Sequence, residues 1–310
     1  MKRMFVMCLC MGFMFCTSTG EENQEEESET IDITNAVLTS LSASCEDYVG
    51  TYASSITETS DNRTLEGALI IAENDTKCTF ISNSIPNHNV NGTAFATTMS
   101  AVQETFQISK TPTAAASTTA LSLTVDNAIM LNGVKLDLLA AACAGVADEK
   151  IGCNDDTKPW RFDPMYTGNN FGTDDNHAHT QPDGAYHYHG DPLAMYDDTG
   201  NVISPVIGFA ADGFPIYGTY IDDDGTVRKV ESGYTLKDGG GARVSQVGEE
   251  IFPGGNYDGT YRDDWEWTDA GDLDACNGMM YKGNYAYFVT RSYPWILGCF
   301  TGTPDPTFHK

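Results

Sequence analysis

Short apolar runs broken by turn formers set the pattern of this chain. Between residues 45 and 110, Thr, Ser and Asn are frequent, and apolar stretches such as Ala68 to Ala72 are brief. β-Branched residues between turn formers favour strands over helices. Ala114 to Ala120 is small-residue, low-complexity sequence and reads as a loop. One segment has helical character: Asp137 can cap a turn that continues through Leu138, Leu139 and the alanines to Ala147, and Ala and Leu are strong helix formers. Further on, Asp197-Asp-Thr-Gly200 and Asp222-Asp-Asp-Gly225 sit between apolar or aromatic runs, which is a hairpin signal. The pattern predicts a mainly β fold: a single domain of antiparallel, sandwich-like sheets over residues 41–310, with one or two short helices, the main one at 137–147.

A weak internal echo accompanies this pattern. Asp183-Gly-Ala-Tyr-His-Tyr-His189 aligns with Lys282-Gly-Asn-Tyr-Ala-Tyr-Phe288, each reading Gly-x-Tyr-x-Tyr after a turn. The second copy has Ala286 and Phe288 where the first has His187 and His189. The shared part is then strand architecture, and the part confined to the first copy is functional.

The N-terminus changes the picture. Lys2 and Arg3 precede an uncharged apolar run from Met4 to Phe15, which suits the core of a signal peptide and is short for a membrane span. Cys16 follows. Residues 1–16 are read as a signal peptide, either of lipoprotein type with Cys16 acylated, or cleaved nearer Thr19. Either reading places the mature protein outside the cytoplasm, secreted or on the cell surface, with a membrane engaged only through such a lipid. Glu21 to Glu29 carries six Glu and no basic residue, so residues 17–40 read as an acidic, disordered linker. Net charge is −27, which argues against a nucleic-acid partner. The start of a calcium loop at Asp222, Asp224 and Gly225 lacks its closing Glu, because the twelfth position is Gly233.

Beyond Cys16 six cysteines remain, an even number in a chain read as exported, and no CxxC pair exists. They read as disulfides rather than zinc ligands. Neighbour pairing is expected: Cys45 with Cys78, Cys143 with Cys153, Cys276 with Cys299.

The candidate chemistry is concentrated in one place. Four of the six histidines, His177, His179, His187 and His189, fall within thirteen residues as two His-x-His units. Alternate residues of a strand share a face. Pro182-Asp-Gly184 suits a three-residue hairpin loop with a glycine bulge. Counting outward from it sets His179 opposite His187 and His177 opposite His189, with all four imidazoles on one face. A two-residue loop would put the two units on opposite faces. Metal binding, a hydrogen-bonded structural role and metal-free acid–base work all stay open.

Gly184-Ala-Tyr-His-Tyr-His-Gly190 resembles the signature of the YHYH domain family. Asn83 to Val90, Met130 to Val134, Asn176 to Asp183, Ile207 to Gly218, Gly271 to Gly278 and Tyr293 to Phe300 are similar to the family's other blocks. The resemblance implies little chemistry. His88, in a polar turn, can reach the hairpin or simply hold that turn. Asp212, before Gly-Phe-Pro, can orient an imidazole or cap its own turn, and Asp191 has the same two readings.

Three functions follow. The first is an exported domain whose metal ligands His177, His179, His187 and His189 hold copper or zinc, since imidazole suits both. The second is a metal-dependent or Tyr/His-based hydrolase or lyase acting on an extracellular polymer or ester, with Tyr186, Tyr188 or Asp212 as catalytic candidates. The third is a non-catalytic adhesion or scaffold module. Gly-x-Ser-x-Gly, His-Glu-x-x-His and phosphate-loop motifs are all missing from the sequence.

Overall fold

A computed structural model describes residues 29–310. The signal segment, Cys16 and the acidic tract through Ser28 lie outside the described residues. Among the described residues no helix is long and apolar enough to cross a membrane.

Two sheets dominate a mainly β single domain. The first has five strands in sequence order: β1 (Thr30–Asp32), β2 (Gly50–Glu58), β3 (Arg63–Glu73), β4 (Lys77–Ser82) and β5 (Glu104–Ser109). Strands β2 to β5 pair antiparallel, whereas β1 lies parallel to β2. Period-two patterning explains their packing: Leu69 and Ile71 of β3, Phe80 of β4, and Phe106 and Ile108 of β5 are buried, and their neighbours face outward. Residues 30–40 were expected to be disordered linker. Instead they carry β1, and the Asn87 amide donates to the carbonyls of Ile33 and Ala36.

The second sheet has eight strands and carries the site. They are β6 (Ala128–Met130), β7 (Lys135–Leu136), β8 (Ala178–Thr180), β9 (Tyr186–Tyr188), β10 (Val206–Ala210), β11 (Pro215–Tyr217), β12 (Gly278–Tyr281) and β13 (Asn284–Phe288). Their spatial order is β12-β13-β11-β10-β6-β7-β9-β8. Most of these strands are buried on both faces, so they read as short apolar runs rather than clean alternation. Phe209 of β10 meets Phe80 of the first sheet, with ring centroids 6.2 Å apart, and the two sheets share one core.

The order is symmetric about its centre. Each half is two hairpins, β6–β7 with β8–β9 and β10–β11 with β12–β13, whose second strands run parallel. The central pair β6 and β10 is antiparallel, with Ile129 opposite Phe209, Met130 opposite Gly208 and Ala128 opposite Ala210. An offset of about eighty residues maps that register onto itself. The hydrogen bonds follow: Leu131 N to Ile207 O and Ala211 N to Asn127 O are both 2.9 Å. The turns Asn132-Gly133 and Asp212-Gly213 correspond, with glycine φ of +84° and +90°. The echo in the sequence is thus one end of an internal repeat.

Two expected elements are absent. Residues 137–147 form no helix. A helix would expose one face, whereas Leu138, Leu139, Ala140, Ala142, Cys143 and Ala144 are all buried. Tertiary partners take the backbone instead: Ala144 N bonds Trp160 O, Phe162 N bonds Ala142 O, and the Arg161 guanidinium donates to the Ala140 and Cys153 carbonyls. Packing overrides propensity here. Residues 197–200 form a turn without flanking strands, in which Thr199 N bonds Asp197 Oδ1, whereas Asp222 to Gly225 does join a true hairpin, Tyr220–Asp223 with Thr226–Lys229.

The three disulfides pair neighbours as expected, with Cα separations of 6.3 Å for Cys45–Cys78, 5.7 Å for Cys143–Cys153 and 4.4 Å for Cys276–Cys299.

Candidate metal centre

Register decides the site. Gln181 N donates to Ala185 O at 2.8 Å and Gly184, at φ +94°, N–H-bonds back to Gln181 O, so Pro182, Asp183 and Gly184 are the loop. His179 then lies opposite His187 and Ala178 opposite Tyr188. His187 and His189 project to one face, and Tyr186 and Tyr188 to the other.

On the histidine face three rings converge. Their centroids are 4.7–4.8 Å apart and mutually edge-on. Nε2 of His189 stands 3.1 Å from Nε2 of His187 and 3.0 Å from Nε2 of His179. The ligand atoms of the three all lie within 4.8 Å of one another, so this cluster can coordinate a metal ion. A tetrahedral site with metal–nitrogen bonds of about 2.0–2.1 Å has nitrogen–nitrogen edges of about 3.3 Å.

Hydrogen bonds alone serve the cluster poorly. Nδ1 of His179 donates to the Phe171 carbonyl at 2.6 Å, which leaves its Nε2 as a lone pair. His189 Nε2 can donate to that lone pair, and it then has nothing left for His187 along a straight line. Three lone pairs around one cation satisfy all three atoms. The His179 bond to Phe171 is the orienting contact that metal-bound imidazoles usually have. Nδ1 of His187 and of His189 are buried without a hydrogen-bond partner; the Asp137 carbonyl lies near the His189 ring but outside hydrogen-bond geometry.

Burial sets the charge of these rings. It pushes the pKa of His187 and His189 well below the ordinary imidazole value, with His189 and His179 adding to the effect at His187 and His179 and Lys310 adding to it at His189, and it lowers His179 as well. Neutral imidazole is the form that ligates a metal.

His177 does not join them. Its backbone is left-handed, φ +57°, and its Nδ1 bonds the Asp191 carbonyl at 2.8 Å. The expectation of four rings on one face is therefore corrected to three. Strand alternation stops at His177 because the Asp174 turn reverses the chain: His177 N bonds Asp174 O, and the Asp174 carboxylate accepts from Asn176 N. The repeat contains the same corner at Asp274 and Asn277, whose φ is +70°. His177 thus occupies a structural corner, whereas His179, His187 and His189 correspond to Met279, Ala286 and Phe288, none of them an imidazole.

The tyrosine face is structural. Tyr186 Oη donates to Asp174 Oδ2 at 2.7 Å, as Tyr285 does to Asp274 at 2.9 Å. Tyr188 Oη meets Asn132 Nδ2 at 2.9 Å, and Tyr287 Oη meets Asp212 Oδ2 at 2.7 Å. Tyr186 and Tyr188 are fully buried, and burial raises both phenols above their ordinary pKa. They face away from the histidines, so neither is placed for proton exchange at the cluster. Asp212 holds Tyr287 and the amide of Gly302, remote from the imidazoles in its partners. Asp191 accepts from Tyr196 and from Arg291. His88 reaches the hairpin through Tyr188, Nε2 to Oη 2.7 Å, while Nδ1 holds its own turn at Asn89 O.

A cavity of about 510 Å³ opens on the cluster, with Phe171, Leu139, Ile151, Gln181, Asp137 and Lys310 among its walls. Sequence patterning missed Asp137 and Phe171 as site residues. Asp137 sits where a helix cap was expected, and only the repeat, extended back to the Asn132-Gly133 turn, singles it out.

A family model described as YHYH protein matches residues 105–302. The block at Asn83 to Val90 lies outside that span. No curated protein and no solved structure matches the chain.

Proposed function

The chain belongs to the YHYH protein family, and on that premise we propose that its domain binds one transition-metal ion, copper or zinc, through Nε2 of His179, His187 and His189, outside the cytoplasm. The convergence of three neutral imidazoles on one point carries this reading. An all-imidazole set suits Zn(II) and Cu(II). Three ligands leave a further coordination position, as catalytic rather than structural zinc sites do. The three disulfides fit an oxidising compartment. An acyl chain on Cys16 would hold the domain at a membrane surface, the only membrane contact in this reading. A small or extracellular ligand would reach the metal through the cavity.

Two observations weigh against acid–base work by Tyr186 or Tyr188: both hydroxyls are buried, and both are on the far face. Elemental analysis of protein purified without a histidine tag tests the proposal. The expected result is about one zinc or copper per chain in the wild type and little in His187→Ala/His189→Ala. Equal metal content in the two would overturn it.

A further inference from the structure

Metal ligation leaves one unusual group at the cavity unexplained. Asp137 is 6% exposed. Its Oδ2 accepts from Lys310 Nζ and, at 3.2 Å, from Gln181 Nε2, whereas Oδ1 is buried with no hydrogen-bond partner. A buried carboxylate oxygen without a donor is costly. Asp137 also lines the same cavity as the three histidines.

The internal repeat marks the same residue independently. Counting from the corresponding turns, Asp137 matches Tyr217 and His189 matches Phe288. Those two aromatic rings stack, with centroids 5.6 Å apart. An acid and an imidazole thus replace a packed aromatic pair, on the same face of the sheet. Asp137 is not in the group whose ligand atoms lie within 4.8 Å of one another, and it shares the cavity of those three histidines.

We propose that Asp137 is the general base of a metal-assisted hydrolysis of uncharged carboxylic esters, an inference that rests on the metal reading above. A metal on the triad would supply an acidified water and an electrophile for a carbonyl oxygen. Water oxygen bonds to the acyl carbon as its proton passes to Asp137 Oδ1. The resulting oxyanion then collapses, the acyl carbon–oxygen bond breaks, and the departing alkoxide takes the proton back from Asp137. Ester and water become carboxylic acid and alcohol, with no change of oxidation state. The walls select the substrate class. Leu139, Ile151 and Phe171 offer apolar surface. Both lysines there are engaged, Lys310 with Asp126 and Asp137, Lys150 with the Asn170 carbonyl and the Phe171 ring. Among the described lining residues no cation is left to grip a phosphate or carboxylate.

The test uses the zinc-loaded full chain and 4-nitrophenyl acetate. Hydrolysis is expected to exceed that of equimolar free zinc. Asp137→Asn should keep its zinc and lose about 100-fold or more in rate, the size of a lost general base. Asp137→Ala should regain part of its rate when formate is added, which a purely structural defect would not allow. The inference is overturned if zinc-bound wild type is no faster than free zinc, or if Asp137→Asn keeps the wild-type rate. It is also overturned if Asp137→Asn releases its zinc, which would make Asp137 a ligand. A wild type that takes up no zinc defeats the metal reading itself, and the zinc content alone reports that.

Discussion

At the residue scale, the distinction that matters is between His177 and the other three histidines of the hairpin. His177 is paired with the Asp191 carbonyl and holds a left-handed corner that the repeat fills with Asn277. His177→Asn is therefore expected to bind zinc as wild type does, within about twofold. His187→Ala removes a proposed ligand and should weaken binding by more than the roughly 10–100-fold typical of outer-shell changes. Isothermal titration of both variants checks this, and equal losses would contradict it. Tyr188→Phe belongs with the structural residues. It strips His88 and Asn132 of a buried partner, so it should lower stability by about 1–3 kcal/mol while leaving zinc binding intact. Denaturant unfolding and zinc titration separate the two effects. The three converging rings were legible in the sequence, because a period of two and a Pro-Asp-Gly loop fix their face. The reversal at His177 was not, since it depends on hydrogen bonds to Asp174 that no local pattern reveals.

At the element scale, the β8–β9 hairpin holds His179 and His187, two of the proposed ligands, opposite each other, and its turn fixes the register. Gly184 has φ +94°, and a Cβ there would meet Ser100 Oγ at 2.2 Å and Thr98 O at 3.0 Å. Gly184→Ala is expected to cost about 1–3 kcal/mol, seen as a lower melting temperature, with zinc affinity falling too if the register slips. The hairpin also makes stability depend on pH. Its buried imidazoles have folded pKa values below the unfolded value of about 6.5. The unfolded chain then binds more protons in that window. Their contribution to stability is complete above about pH 6.5 and is lost as pH falls below it. Buried carboxylates such as Asp163 and Asp212, whose pKa burial raises, run the other way. The comparison is therefore with His187→Ala/His189→Ala: between pH 7.5 and 5.5 the wild-type apoprotein should lose more stability than the variant. A parallel response of the two would contradict this reading. Strand elements were legible wherever one face is exposed, as in β3. The segment 137–147 misled because its alanines and leucines are buried all round by tertiary contacts, a condition helix propensity does not register.

At the scale of the whole molecule, two similar halves carry different chemistry. Aspartate–tyrosine pairs and polar turns recur in both, and only the first half has His179, His187, His189 and Asp137. The family match at residues 105–302 takes in both halves and only the last of the first sheet's strands, β5. The echo of Gly-x-Tyr-x-Tyr exposed one pair of strands; the rest of the repeat has too little residue identity to show without the pairing. Disulfides tie the halves down locally. Cys143–Cys153 secures a loop that lines the cavity through Lys150 and Ile151, not the strands of the triad. Replacing both cysteines by Ser should lower stability by about 2–4 kcal/mol, in urea unfolding, and leave one zinc site per chain. Loss of zinc binding in that folded variant would place the cluster under the loop's control instead. The most direct test of the metal centre is X-ray absorption at the zinc edge of the loaded, untagged protein. Three imidazole nitrogens at about 2.0–2.1 Å plus one exchangeable oxygen ligand is the expected result. A coordination shell without histidine, or one unchanged in His187→Ala/His189→Ala, would contradict it.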